Sequence, residues 1–173
     1  IARSGALFID VSKQVAEQSL TGVGFACGIP GSIGGAMAMN AGAYGGEIKD
    51  VIVECTVLTP EGKRIVLSKD ELELGYRKRI ITKKGYYVLS AKFRLAKGDQ
   101  QAIDAKIADL TFQRESKQPL EYPSAGSVFR NPENDFAGRI IEELGYKGKN
   151  IGGAYVSEKH ANFIINKDNA SSS

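Results

Sequence analysis

The chain has 173 residues, 42% hydrophobic and 25% charged, with 23 Lys and Arg against 20 Asp and Glu. That composition fits a globular protein and excludes disorder, collagen-like sequence and coiled coil, while a net charge of +3 is too mild to point to nucleic acid. No apolar run approaches the ~20 residues that cross a bilayer, and two cysteines (Cys27, Cys55) with a single histidine (His160) provide neither a disulfide framework nor a transition-metal site, so a metal-free cytoplasmic protein is expected.

In chain order, Asp10 is placed to cap a short helix with Val11, Val15 and Ala16 on one face and Gly22 near its end. The stretch GVGFACGIPGSIGGAMAMNAGAYGG, from Gly22 to Gly46, holds nearly half of the 20 glycines. Glycine loses more backbone entropy on folding than any other residue, so this density implies positive φ angles or a backbone that approaches something closely. A flexible linker would lack the interspersed Ile, Met, Phe and Tyr. The segment is expected to be an ordered loop around a ligand, with tight backbone packing as the alternative.

Val51, Val53, Cys55 and Val57 then alternate with Ile52, Glu54, Thr56 and Leu58, and Pro60-Glu61-Gly62 turns the chain into Arg64–Leu67, which predicts a hairpin. Ser68 followed by Glu71 predicts a capping box for a brief helix through Leu72, stopped at Gly75. Tyr87, Leu89, Ala91, Phe93 and Leu95 predict one face of a strand. Asp99 opens a helical pattern carrying Ile103, Ile107 and Leu110, closed before Pro119. A second helix presents Ala137, Ile140, Ile141 and Leu144 and stops at Gly145, and Ala161–Asn166 predicts a closing strand. The change of character near Gly98 places a boundary between residues 1–97 and 98–173. The start at Ile1 and the stop after an Asn-Lys-Asp-Asn turn and three serines lead to the expectation of a fragment with material missing on both sides.

GIPGSIGG, from Gly28 to Gly35, is neither G-x-G-x-x-G after a strand nor a Walker loop, which disfavours Rossmann and P-loop folds. Ser32 is positioned to cap a helix through Met39, whose free backbone N–H groups would face phosphate. An RNA-binding domain resting on the Arg77–Arg79 cluster would need paired aromatic strand motifs that are absent.

GIPGSIGGA with MNAGAYG, then Tyr76-Arg77, then KQPLEYPSAGSVFRNP (Lys117 to Pro132), then HANFIIN (His160 to Asn166) follow one another at a spacing that closely resembles the UDP-N-acetylenolpyruvoylglucosamine reductase (MurB) family, in its shorter form without an inserted tyrosine loop. The resemblance covers essentially the whole chain. It implies an α+β protein: the C-terminal part of a vanillyl-alcohol-oxidase-type FAD-binding domain, then a small α/β substrate-binding domain. It further implies FAD and NADPH as cofactors and UDP-N-acetylenolpyruvoylglucosamine as substrate, reduced to UDP-N-acetylmuramate for peptidoglycan. Hydride addition to an enol ether leaves charge on the α-carbon, spread into the adjacent carboxylate, so electrophilic groups on that carboxylate and a proton donor are required.

On this resemblance Arg77 is the carboxylate-polarising arginine and Ser127 the proton donor. The bland alternatives are a solvated basic turn for Arg77 and a turn or cap for the serine. Gly28, Ile29, Pro30, Gly31, Ser32, Gly34 and Gly35 would bind flavin, together with Asn40, Gly42 and Ala43. Tyr44, Tyr76, Lys117, Asn131 and His160 would contact substrate, with a partly buried structural histidine the equal alternative for His160. Arg130 keeps the charge of a lysine common at that place. The family's third catalytic group, a glutamate, has no counterpart here and is expected beyond Ser173, as the other flavin-binding lobe is expected before Ile1. Weak or no flavin binding by the chain alone follows. The competing reading is a non-catalytic nucleotide-sugar module using Lys117, Asn131 and the helix after Asp135.

Overall fold

The computed structural model describes residues 1–75 and 80–171. They divide into two compact units, 1–111 and 112–173, each built of mixed helices and antiparallel strands.

The first unit runs β1 (Ala2–Arg3), α1 (Phe8–Glu17), β2 (Leu20–Thr21), a 3₁₀ turn (Gly24–Ala26), α2 (Ile33–Met39), β3 (Gly42–Ala43), β4 (Gly46–Glu47), α3 (Ile48–Val51), β5 (Ile52–Leu58), β6 (Arg64–Ser68), α4 (Ile80–Lys83), β7 (Tyr87–Phe93), β8 (Ala96–Lys97) and most of α5 (Gln100–Lys117). Its main sheet has the order β1-β7-β5-β6. Phe8, Ile33, Met37, Ile48, Cys55, Val57 and Leu72 form the centre of one apolar core, with α2 packed on β7. Burial pushes the Cys55 thiol up to about 11, so it behaves as a small hydrophobe.

Four local expectations need correction. Helix α1 starts ahead of Asp10, at Phe8, with Leu7 as its cap, because the buried Phe8 is anchored through its N–H to the Gly31 carbonyl at 2.9 Å. Val51 belongs to α3 and not to the strand. The Ser68–Glu71 bonds form, with Glu71 accepting the Ser68 N–H at 2.8 Å, yet only one turn follows and no helix, since Glu73 enters the left-handed region at φ 44°.

The fourth concerns β7. Thr56 pairs with Ser90 but Val57 pairs with Val88, so Leu89 is an extra residue bulged out of the ladder. Beyond the bulge the faces exchange: Val88 turns to the core while Tyr87 and Leu89 stand exposed.

The second unit carries the end of α5, then β9 (Ser124–Ser127), α6 (Ala137–Glu143), β10 (Asn150–Ile151), β11 (Ala154–Val156) and β12 (Phe163–Asn166). Its sheet has the order β10-β11-β12-β9, all antiparallel. Helix α6 ends at Gly145, which takes φ 70° as a helix terminator. Among the described residues, no helix is long and apolar enough to cross a membrane.

Candidate functional site

In the first unit the chain passes from the 3₁₀ turn through Gly28–Ser32 into α2. Ser32 caps this helix, its Oγ accepting the Gly35 N–H at 3.3 Å. The expectation that the first-turn N–H groups stand free is not met. Ile33 donates to the Ala6 carbonyl and Gly34 to the Ser4 carbonyl, each at 2.9 Å. Backbone from the start of the chain takes those donors because Gly34 lets it approach: a Cβ there would lie 3.2 Å from Ser4 Cβ. Among the described residues, the N–H groups of Gly31 and Ser32 have no backbone partner. Gly31 sits at φ 112°, and a Cβ there would project into open space. The backbone donors left without a backbone partner are thus in the loop preceding the helix.

Beyond α2, Asn40 takes φ 48° as the helix terminator. Its Oδ1 accepts the Lys49 N–H at 2.9 Å and its Nδ2 donates to the Glu47 carboxylate, tying α2 to the β3–β4 hairpin. The hairpin turn is Tyr44-Gly45 with φ 52° and 81°, the paired positive values of a two-residue turn. Glycine suits such a turn; tyrosine does not, so Tyr44 is held there against its preference. It borders a cavity of about 470 Å³ together with Val23, Phe25 and Ile103.

In the second unit a cavity of about 420 Å³ brings together Ser127, Asn131 and His160, three of the residues singled out from sequence, with Arg139 and Lys159 beside them. Ser127 ends β9, paired with Phe163 of β12, and is exposed. His160 packs on Phe163 with ring centroids 4.8 Å apart, and its Nδ1 accepts the Asn162 N–H at 3.2 Å. Burial lowers its pKa, a backbone hydrogen bond offsets part of that, and the Lys147 charge lowers it further. A neutral ring with Nδ1 accepting carries its proton on Nε2. Gly138 of α6 makes room for the imidazole: a Cβ there would meet Cε1 at 3.1 Å.

Asn131 Oδ1 accepts the Ala137 N–H at 3.1 Å and so caps the start of α6. Arg139 is gripped by the Asp135 and Glu143 carboxylates. The Arg139 hydrogen bonds, then the Phe136 N–H, hold the Asp135 carboxyl down at about 2. Lys159 pairs with Glu121 at 3.6 Å. A hydroxyl and a neutral imidazole offer hydrogen-bond donors to a ligand's oxygens, while the lining cations Arg139 and Lys159 are each paired with carboxylates and Glu142 adds an acidic group to the lining. Lys117 ends α5, exposed and apart from this cavity's lining. Tyr76 and Arg77 lie outside the described residues. Among the described residues, no group of three His, Cys, Asp or Glu is placed to hold a metal.

Sequence reasoning passed over Asn162. It is buried, its Oδ1 accepts the Phe129 N–H at 2.9 Å, and its Nδ2 donates to the Phe129 carbonyl at 2.7 Å. The available signal was an asparagine between apolar residues in HANFIIN, where a buried amide must have partners.

Family comparison places these features in context. The C-terminal domain of UDP-N-acetylenolpyruvoylglucosamine reductase matches residues 118–173, and an FAD binding domain matches residues 1–68. UDP-N-acetylenolpyruvoylglucosamine reductase 2 of Bacillus cereus (strain ATCC 10987 / NRS 248) is 56% identical over 169 residues, covering 98% of this chain and 55% of the relative. The reductase of Geobacillus kaustophilus (strain HTA426) is 58% identical over 170 residues, covering 98% and 56%. The crystal structure of the Thermus caldophilus reductase superimposes with a TM-score of 0.87 at 34% identity, covering 96% of this chain and 61% of that one. The chain therefore spans about half the length of the curated relatives it matches. With an FAD binding domain matched over residues 1–68, the reductase's C-terminal domain matched over 118–173, and reductases similar along 98% of its length, the chain belongs to the UDP-N-acetylenolpyruvoylglucosamine reductase (MurB) family.

Proposed function

We propose that this chain forms part of a cytoplasmic flavoenzyme that uses NADPH and FAD to reduce UDP-N-acetylenolpyruvoylglucosamine to UDP-N-acetylmuramate in peptidoglycan precursor synthesis. The observation that carries it is the single cavity shared by Ser127, Asn131 and His160. Residues matched to the family's proton donor and nucleotide-sugar contacts come from two segments about 30 positions apart, Ser127 with Asn131 and then His160, and the fold brings both to one cavity.

The loop fits a flavin. Gly31 and Ser32 offer backbone donors without backbone partners among the described residues, beside open space at the Gly31 Cβ position. Gly28–Gly35 would hold it, with Asn40, Gly42 and Ala43 bracing the adjoining hairpin. The chemistry FAD supplies when bound is relay of hydride from NADPH to the substrate's β-carbon.

The protein's own part is charge and proton management. Arg77 is assigned to the substrate carboxylate, where a permanently charged, forked guanidinium stabilises the negative charge that develops next to it. Ser127 Oγ is assigned to donate its proton to the α-carbon, and its exposure on β9 allows water to restore that proton. Asn131, His160, Lys117, Tyr44 and Tyr76 are assigned to the substrate.

The test uses the enzyme with this stretch at the full length of its relatives. Ser127→Ala should leave flavin reduction by NADPH intact and lower turnover of the enolpyruvyl substrate by about 10²–10⁴-fold, the usual span for a positioned proton donor. Equal loss in both half-reactions would refute the assignment.

A further inference from the structure

We propose that Asn162 is a positioning residue of this site: its side chain locks the backbone just beyond Ser127 while its own N–H orients the His160 ring. The proposal deepens the reductase reading, on which the roles of Ser127 and His160 rest.

A carboxamide offers one acceptor and two donors, and here it pairs with both polar groups of one residue. Oδ1 accepts the Phe129 N–H at 2.9 Å and Nδ2 donates to the Phe129 carbonyl at 2.7 Å. The Asn162 carbonyl also accepts the Val128 N–H at 2.9 Å. Strand pairing between β9 and β12 reaches Ser127 and Phe163, and Asn162 continues that ladder with a side chain in place of a third strand residue.

Packing does not hold this segment. Val128 is 47% and Phe129 60% exposed, whereas Asn162 is 3% exposed. The hydrogen bonds from Asn162 are therefore the main restraint on the chain leaving Ser127. Through its N–H to His160 Nδ1 the same residue selects the ring tautomer with the proton on Nε2. One buried residue thus sets, through its side-chain amide, the direction of a hydroxyl-bearing strand end and, through its backbone N–H, that of an imidazole, two groups lining one cavity.

The test compares the 173-residue chain with its Asn162→Asp variant, reading amide hydrogen exchange by NMR and affinity for UDP-N-acetylglucosamine. An ionised aspartate keeps the acceptor, loses the donor and repels the Phe129 carbonyl; a protonated one restores both bonds. At pH 7 the variant should lose about tenfold protection at Phe129 and about tenfold affinity, with protection at Tyr155 and Ile165 unchanged. Both losses, taken as ratios to the parent protein at the same pH, should shrink as the pH falls to about 5, where a buried carboxyl regains its proton. Equal loss at Tyr155 and Ile165, or ratios indifferent to pH, would overturn the proposal by showing general structural support only. The unsubstituted protein supplies a check that needs no variant: unprotected exchange at its Phe129 N–H would also overturn it. Absence of any UDP-N-acetylglucosamine binding by the parent protein, with the exchange pattern as expected, would sink the nucleotide-sugar reading and leave the clamp standing.

Discussion

The attachment of the glycine loop to the first unit's core can be measured through Phe8. This ring is wholly buried and meets Phe25 edge-on, with centroids 5.9 Å apart and planes at 78°. Its backbone N–H holds the Gly31 carbonyl at 2.9 Å, so the residue anchors both α1 and the loop. Phe8→Ala removes a ring from a site closed on every side, and its neighbours can collapse only partly into the space. Lost transfer energy plus the residual cavity costs about 3–5 kcal/mol. At roughly 2–4 °C per kcal/mol for a chain of this size, the unfolding midpoint should drop by about 6–20 °C. Urea unfolding followed by circular dichroism gives the energy directly, and a Phe8→Leu, Phe25→Leu cycle should return a coupling of about 0.5–1.5 kcal/mol for the aromatic contact. Phe112→Ala is the control, since that ring is 70% exposed and its loss should stay within about 0.5 kcal/mol. A Phe8→Ala cost below about 1.5 kcal/mol, or one equal to the Phe112 control, would refute the placement of Phe8 at the centre of the core.

Two further outcomes follow from the sites. His160 has a folded pKa below its ordinary 6.5, so the stability it contributes is fully present above that pH and is lost as the pH falls through the depressed folded value. An NMR titration of its ring protons should show a midpoint below 6.5, raised only slightly by Lys147→Ala because burial is the larger cause; a midpoint at or above 6.5 would contradict this. Tyr44→Gly should stabilise the chain by about 0.5–1 kcal/mol in urea, since relief of a left-handed tyrosine outweighs glycine's added entropy loss. The same change should remove whatever Tyr44 contributes to ligand affinity, and destabilisation would show that the turn is not strained.

Local features were legible in the sequence. The place of Ser32 before Ile33–Met39 marks a helix cap, alternation around Pro60-Gly62 marks the β5–β6 hairpin, and an apolar face with Gly145 marks α6. These elements are encoded by residues within a few positions of one another, where side-chain period and capping chemistry act directly. The Leu89 bulge was not legible, because alternation through Tyr87–Phe93 continues without a break and only pairing with β5 shows where the ladder slips. The turn at Ser68–Glu73 kept its capping bonds but not its helix, because Glu73 departs into the left-handed region.

The site divides along the same line. From the sequence alone came the chemical cast: a glycine-dense loop, a serine in a turn-rich segment, a single histidine, and motifs in the order of one reductase family. Tertiary structure decided which polar groups remain available to a ligand. The α2 donors were consumed by carbonyls of Ser4 and Ala6, and the Gly31 and Ser32 donors were not. Asn162, whose place between apolar residues in HANFIIN does not reveal its partner, clamps a residue 33 positions earlier. The physical reason is that residue type states what a group can donate or accept, whereas its partner and its distance from water are set by segments remote in the chain.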